Sequence, residues 1–213
     1  MPETVAGIEI PDSALAKEAT ELIRDTASPL LYDHSRRVFL FGSLQGRRRG
    51  LSYDPEVLYV GAMFHDLGLT PGYRTTSRQR FEIDGADAAR DFLLRHGLSQ
   101  DSARIAWTAI ALHTTPEIPG HMEPEVALVT AGVEFDVLGM GLDVVPQEVR
   151  DEVVAAHPRP DFKRRILQAF TEGIEHRPQT AFGNVKADVL ARFSPGFVRT
   201  DFVEVIENSA WPE

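Results

Sequence analysis

Apolar residues recur at three- and four-residue intervals through most of this chain, and runs that alternate Val, Ile, Thr or aromatic residues with polar ones are nearly absent. A half-buried strand must alternate, whereas a half-buried helix repeats about every 3.6 residues, so the periodicity predicts an all-α protein. The first helix is expected to start near Asp12 or Ser13, whose side chains can accept from free amides, and to run to about Thr26. Ser28-Pro29 opens a second that extends to about Arg48 and carries Leu30, Leu31, His34, Val38, Phe41 and Leu44 close to one stripe, so that His34 points inward. Asp54-Pro55 reads as a cap followed by proline at the first helical position, starting a helix to about Asp66 that Gly68 closes. After a loop from Thr70 to Arg80, helices are expected from a cap near Asp84 to just before Gly97, from Ser99 or Asp101 to His113, and from Glu123-Pro124 to about Leu138. The remainder reads as Pro146 to Ala155, Pro160 to Glu175 and Phe182 to Arg192, followed by an irregular tail.

No Ser/Gly/Pro-rich linker divides the 213 residues, and one domain over 1–213 is the expectation. With 22 Lys and Arg against 32 Asp and Glu, the chain carries a formal charge of −10 and repels phosphate backbones and anionic membrane surfaces. Nucleic acid and membrane are therefore not expected partners. The run Arg47-Arg48-Arg49 reads as a solvated helix end. Without cysteine, any metal must be held by His, Asp and Glu. The first residues have neither the basic nor the apolar region of an export signal, and no segment approaches the ~20 apolar residues of a membrane span, which predicts a cytoplasmic protein.

Of seven histidines, three have settings that surface residues do not share. His34 lies mid-helix on an apolar face, His65 ends a helix behind Val60, Gly61, Ala62, Met63 and Phe64, and His113 ends another behind Ile110 and Leu112. Asp66 follows His65 directly, and Asp136 lies inside Val133-Glu134-Phe135-Asp136-Val137-Leu138, where an unpaired charge is costly to bury. Taken singly, each can be a hydrogen-bonded core histidine or a capping aspartate. Together, three imidazoles and two carboxylates on semi-buried helix faces match what a divalent cation in a helical bundle needs. Neighbouring helical residues diverge by about 100°, so His65 and Asp66 share one ion only where the helix stops. His96 reads as a helix-end imidazolium, His157 and His176 as residues of proline-containing turns, and His121 as solvent-exposed.

His34, then Phe64-His65-Asp66-Leu67-Gly68, then a distant Asp136, resembles the H…HD…D signature of the HD-domain metallohydrolases over roughly residues 29 to 140. That resemblance implies an all-α HD-domain helical bundle, with C-terminal helices packed on the motif-bearing core, and makes His34, His65, Asp66 and Asp136 the metal ligands. His34-Ser35-Arg36-Arg37-Val38, Arg80-Phe81-Glu82-Ile83-Asp84-Gly85-Ala86 and Leu112-His113-Thr114 are similar to the cyanamide hydratase-like branch. Binuclear members carry a further histidine where this chain has Phe81, which implies one ion: zinc first, with iron, manganese or nickel as alternatives. Many phosphohydrolases of the superfamily have a lysine where Leu69 stands.

With Phe39, Phe41, Phe64, Phe81 and Phe135 expected near the site, the pocket reads as apolar and suited to a small neutral molecule. The resemblance thus implies metal-assisted hydration or hydrolysis of a nitrile-like or amide-like compound. Asp66 and His113 are the expected proton-handling residues, Glu82 a third catalytic candidate, and Phe64, Phe81 and Thr114 the substrate contacts. A nucleotide or phosphate-monoester phosphohydrolase is the alternative, with Arg36, Arg37, Arg74 and Arg78 replacing the missing lysine. A catalytically silent ligand-binding domain is the third reading. Phe193, Phe197, Phe202, Val203, Val205 and Trp211 suggest a cover for the chain's own core or for a second subunit, hence a possible homo-oligomer.

Overall fold

Capping side chains set where several of the helices begin. In the computed structural model, which describes residues 3–211, Ser13 accepts from an amide of the first turn of α1 (Ala14–Thr26), and Ser28 does the same for α2 (Pro29–Arg49). Asp54 accepts from Glu56 and Val57 at the start of α3 (Pro55–Phe64). After α4 (Pro71–Arg74) and α5 (Phe81–Arg95), Ser99 caps α6 (Gln100–Leu112). α7 (Pro124–Val133) continues into a wide π-type turn, Glu134–Leu138, that ends on left-handed Gly139. α8 (Gln147–Ala156), α9 (Phe162–Ile174), α10 (Lys186–Phe193) and α11 (Phe202–Glu207) follow. The fold is all-α; the β-structure among the described residues is a two-stranded antiparallel hairpin, β1 (Thr4–Val5) and β2 (Ile8–Glu9).

α2 is the axis. Its residues His34 to Ser43 are all buried, because α3 and α7 pack along it and the N-terminal hairpin, α8 and α9 close the remaining sides. α2 and α7 meet backbone to backbone: a Cβ on Gly132 would lie 2.2 Å from the Val38 carbonyl oxygen. This approach brings the turn after α7 against His34. A second apolar cluster, comprising Leu30, Leu31, Leu69, Phe81, Phe162, Ile166, Ile174 and Leu190 among others, joins α9 and α10 to the start of α2 and to the segment after α3.

The structure corrects several boundaries. α3 ends at Phe64, two residues before the expected end, and Gly68 does not terminate it; a Cβ there would lie 2.2 Å from the Phe81 carbonyl oxygen, so this glycine lets α5 seat against the segment after α3. Asp84 is no cap: it sits inside the first turn of α5, buried, and accepts from Arg177 and Ser77. The loop from Thr70 holds the one-turn α4, α10 begins four residues later than expected, and the tail contains α11. Arg47, Arg48 and Arg49 are exposed. So is most of the apolar tail, with Phe202 63% and Trp211 85% exposed, while Phe197 is half-buried against the second cluster.

Candidate metal centre

The end of α3 decides the geometry. His65 keeps helical angles but Asp66 leaves them, at φ −102°, ψ 8°, so two adjacent side chains turn to one point, where Asp66 Oδ2 lies 3.3 Å from His65 Nε2. His34, in the second turn of α2, approaches from one side with Nε2 3.7 Å from Asp66 Oδ2. His113, capping α6, approaches from the other with Nε2 3.7 Å from Asp66 Oδ1. Each ring is oriented by its outer nitrogen: His34 Nδ1 meets Asp136 Oδ2 at 2.7 Å, His65 Nδ1 the Ala62 carbonyl at 2.7 Å and His113 Nδ1 the Ile110 carbonyl at 2.6 Å. A carbonyl only accepts, so Nδ1 carries a proton in His65 and His113, and each ring turns its Nε2 toward Asp66.

The charges fit this arrangement. Burial alone would raise the Asp66 carboxyl, but His65, His34 and His113 hold it well below the usual carboxylate range. His65 Nε2, His113 Nε2 and both Asp66 oxygens are buried without a hydrogen-bond partner. Four convergent orphan acceptors are costly unless something electropositive completes them. Ligand atoms of His34, His65 and Asp66 all lie within 4.8 Å of one another, and these three residues could hold a divalent metal ion.

Asp136, the expected fourth ligand, has both oxygens engaged by other side chains. Its Oδ1 accepts from Arg37 Nε at 2.9 Å and Arg159 Nε at 3.0 Å, and its Oδ2 from Arg37 Nη2 at 2.9 Å and His34 Nδ1. Both oxygens are engaged on the outer side of His34, turned from the point where the Nε2 atoms meet. Burial would raise this carboxyl too, but the His34 hydrogen bond and the Arg37 charge hold it low.

A cavity of about 160 Å³ opens on His34, His65, Asp66, His113 and Thr114, with Val133, Val137, Leu138, Phe170 and Val185 as apolar walls. Of the expected substrate contacts, Thr114 alone lines it. Phe64 turns into the core against Phe92, and Phe81 lies behind His113, packed edge-on at 5.6 Å. Phe39 packs edge-on against Tyr59, while Phe41 and Phe135 face a separate groove. The aromatic wall is Phe170 instead. Glu82 lies behind Thr114, accepting its hydroxyl at 2.6 Å and pairing with Lys186. Burial would raise Glu82, but Lys186 first, and then His113, hold it down.

The arginines considered for phosphate have protein partners: Arg36 binds Tyr59 and Glu3, Arg37 binds Asp136, and Arg74 binds Glu172, while Arg78 is exposed outside the cavity. His157, read as a turn residue, is buried and accepts from Arg36 Nε. Val137 and Leu138 follow Asp136 directly in sequence. Phe170, Val185 and Lys186 carry no local signal.

Acid should loosen this cluster. Burial pushes His113 down to about 4 and lowers His34; it would lower His65 as well, but Asp66 raises that ring. An unfolded histidine binds its proton near 6.5, so between there and 4 the unfolded chain holds a proton that folded His113 lacks, and stability falls as pH falls. The limit for His113 is about 3 kcal/mol at 1.36 kcal/mol per pH unit. His34 acts in the same direction. His65 opposes them, its contribution being full below 6.5 and lost as pH rises through its raised value. Urea midpoints of metal-free protein are expected to drop between pH 7 and pH 5; a midpoint that rises over this range contradicts the arrangement.

The sequence model of the HD domain matches residues 31–156. Two cyanamide hydratases of Saccharomyces cerevisiae, DDI2 and DDI3, are each 23% identical over 161 residues, covering 74% of this chain and 72% of theirs. Among the described residues, no helix is long and apolar enough to cross a membrane.

Proposed function

The chain belongs to the HD domain family, and on that premise we propose that it adds water to a small neutral nitrile-like or amide-like molecule, with cyanamide as the first substrate to test. The cavity carries this reading. At about 160 Å³ it falls below the roughly 300 Å³ at which pockets for drug-sized ligands begin, and no lysine or arginine lines it. A nucleoside phosphate needs both more room and cationic partners, so the phosphohydrolase alternative has no support in the lining.

His34, His65 and Asp66 would hold the ion, and zinc suits a set of two imidazoles and one carboxylate. A divalent cation bound there supplies Lewis acidity, which acidifies water and polarises a nitrile or carbonyl group. Asp136 keeps His34 in the orientation that presents Nε2. Asp66 accepts a proton from water as the C–O bond forms and returns it to the nitrile nitrogen; tautomerisation of the imidic product then gives the amide, which is urea when the substrate is cyanamide. His113 accepts at Nε2, because its Nδ1 proton is committed to Ile110. Valines and Phe170 keep bulk water from the site.

The test is metal analysis together with a cyanamide-to-urea assay on protein stripped by chelator and reloaded. Stoichiometric zinc and restored turnover are the expected result. Phosphate release from nucleoside monophosphates, or zinc retention without turnover of any nitrile or amide, overturns the proposal.

A further inference from the structure

Residues beyond the matched HD segment reach the cavity. Val185 lines it, and its two neighbours reach the polar residues behind the wall. Asn184 Nδ2 donates to Thr114 Oγ1 at 3.0 Å, while its Oδ1 accepts from the Lys186 amide at 3.1 Å and so ties down the start of α10. Lys186 is wholly buried; its Nζ pairs with Glu82 Oε1 and lies 5.2 Å above the Phe81 ring. Glu82 Oε1 also takes the Thr114 hydroxyl proton, and Glu82 Oε2 is buried with no partner.

A buried ion pair is on average no more stabilising than apolar side chains of the same volume, so its presence here calls for a role other than stability. The role follows from hydrogen-bond polarity. A carboxylate only accepts, so Glu82 commits the Thr114 proton, and Asn184 occupies one Thr114 lone pair. What Thr114 Oγ1 can still offer is an acceptor. Of the other polar side chains lining the cavity, His113 and Glu134 likewise present acceptors, while His34, His65 and Asp66 are those that would hold the ion.

We infer that Lys186 is a positioning residue that holds Glu82 against the Thr114 hydroxyl, and that the Thr114 acceptor so presented selects small neutral ligands bearing N–H donors over equal-sized ligands without them. The inference rests on the function proposed above and narrows its substrate class.

Urea, acetamide and acetone differ by exchange of NH2 for CH3 at nearly constant size. Ligand-observed NMR titration of zinc-loaded protein is expected to rank urea above acetamide above acetone, about tenfold from acetamide to acetone; one good hydrogen bond is of that order. In Thr114→Val and Lys186→Met the acetamide-to-acetone ratio should fall to within twofold at unchanged zinc content, and Lys186→Arg should restore part of it. Equal binding of acetone and acetamide by the native protein overturns the inference, as does full discrimination in Thr114→Val, which keeps the side-chain shape if Lys186→Met fails to fold. Zinc retention and cyanamide turnover by the native protein test the proposed function independently of this ranking.

Discussion

Asp136→Asn is expected to lower the stability of the metal-free protein by about 3–5 kcal/mol, the usual cost of breaking a buried ion pair from one side. Arg37 is completely buried, and its guanidinium makes two bonds of 2.9 Å to Asp136 besides those to the carbonyls of His157 and Pro158. An asparagine in that place keeps the volume but removes the charge and turns an NH2 group toward Arg37 together with either Arg159 or His34. Against a typical stability of roughly 5–15 kcal/mol the loss is large. His34 also loses the acceptor that orients it, and loss of such outer partners typically weakens metal binding about 10- to 100-fold. Urea unfolding of chelator-stripped protein and a zinc competition titration measure the two effects. A direct ligand would behave differently: zinc would be lost while the metal-free protein kept its native unfolding midpoint, and that outcome would return Asp136 to the coordination shell.

His113→Ala should separate turnover from metal. Its Nε2 lies 3.7 Å from Asp66 Oδ1, but His113 stands outside the group whose ligand atoms all fall within 4.8 Å of one another. Removing a proton acceptor at this place is expected to cost 10²–10⁴-fold in turnover, roughly 3–5 kcal/mol of barrier, with zinc still bound. His65→Ala, by contrast, should leave the protein without zinc. Metal analysis and a urea-production assay on the two variants decide the matter. If His113→Ala empties the site as completely as His65→Ala does, His113 is a ligand and the three-residue set must be enlarged.

Much of this was legible before any coordinates, and the reason is local. Ser13, Ser28, Asp54 and Ser99 announce helix starts because the amides they satisfy are two or three residues away. His34 declares its burial through the apolar stripe it shares with Leu30, Leu31 and Val38, and the His65-Asp66 pair declares itself at a helix end. Asp84 misled because an aspartate near a helix start reads as a cap, while its actual partner, Arg177, lies 93 residues away.

The sequence by itself determined the all-α class, most of the helix boundaries, and that His34, His65 and His113 turn inward, since each depends on periodicity or on hydrogen bonds within one turn. The tertiary structure alone decided how those groups share their partners. Nothing local records that Arg37, Arg159 and His34 engage both oxygens of Asp136. Phe64 and Phe81 could line the cavity until packing turned one to Phe92 and put the other behind His113. Phe170, Val185 and Lys186 enter the site only because α9 and α10 fold back over Leu30, Leu31 and Phe81. A lone pair or a ring face is oriented by whichever neighbour reaches it first, and over separations of about a hundred residues that neighbour is set by helix packing, which no local pattern records.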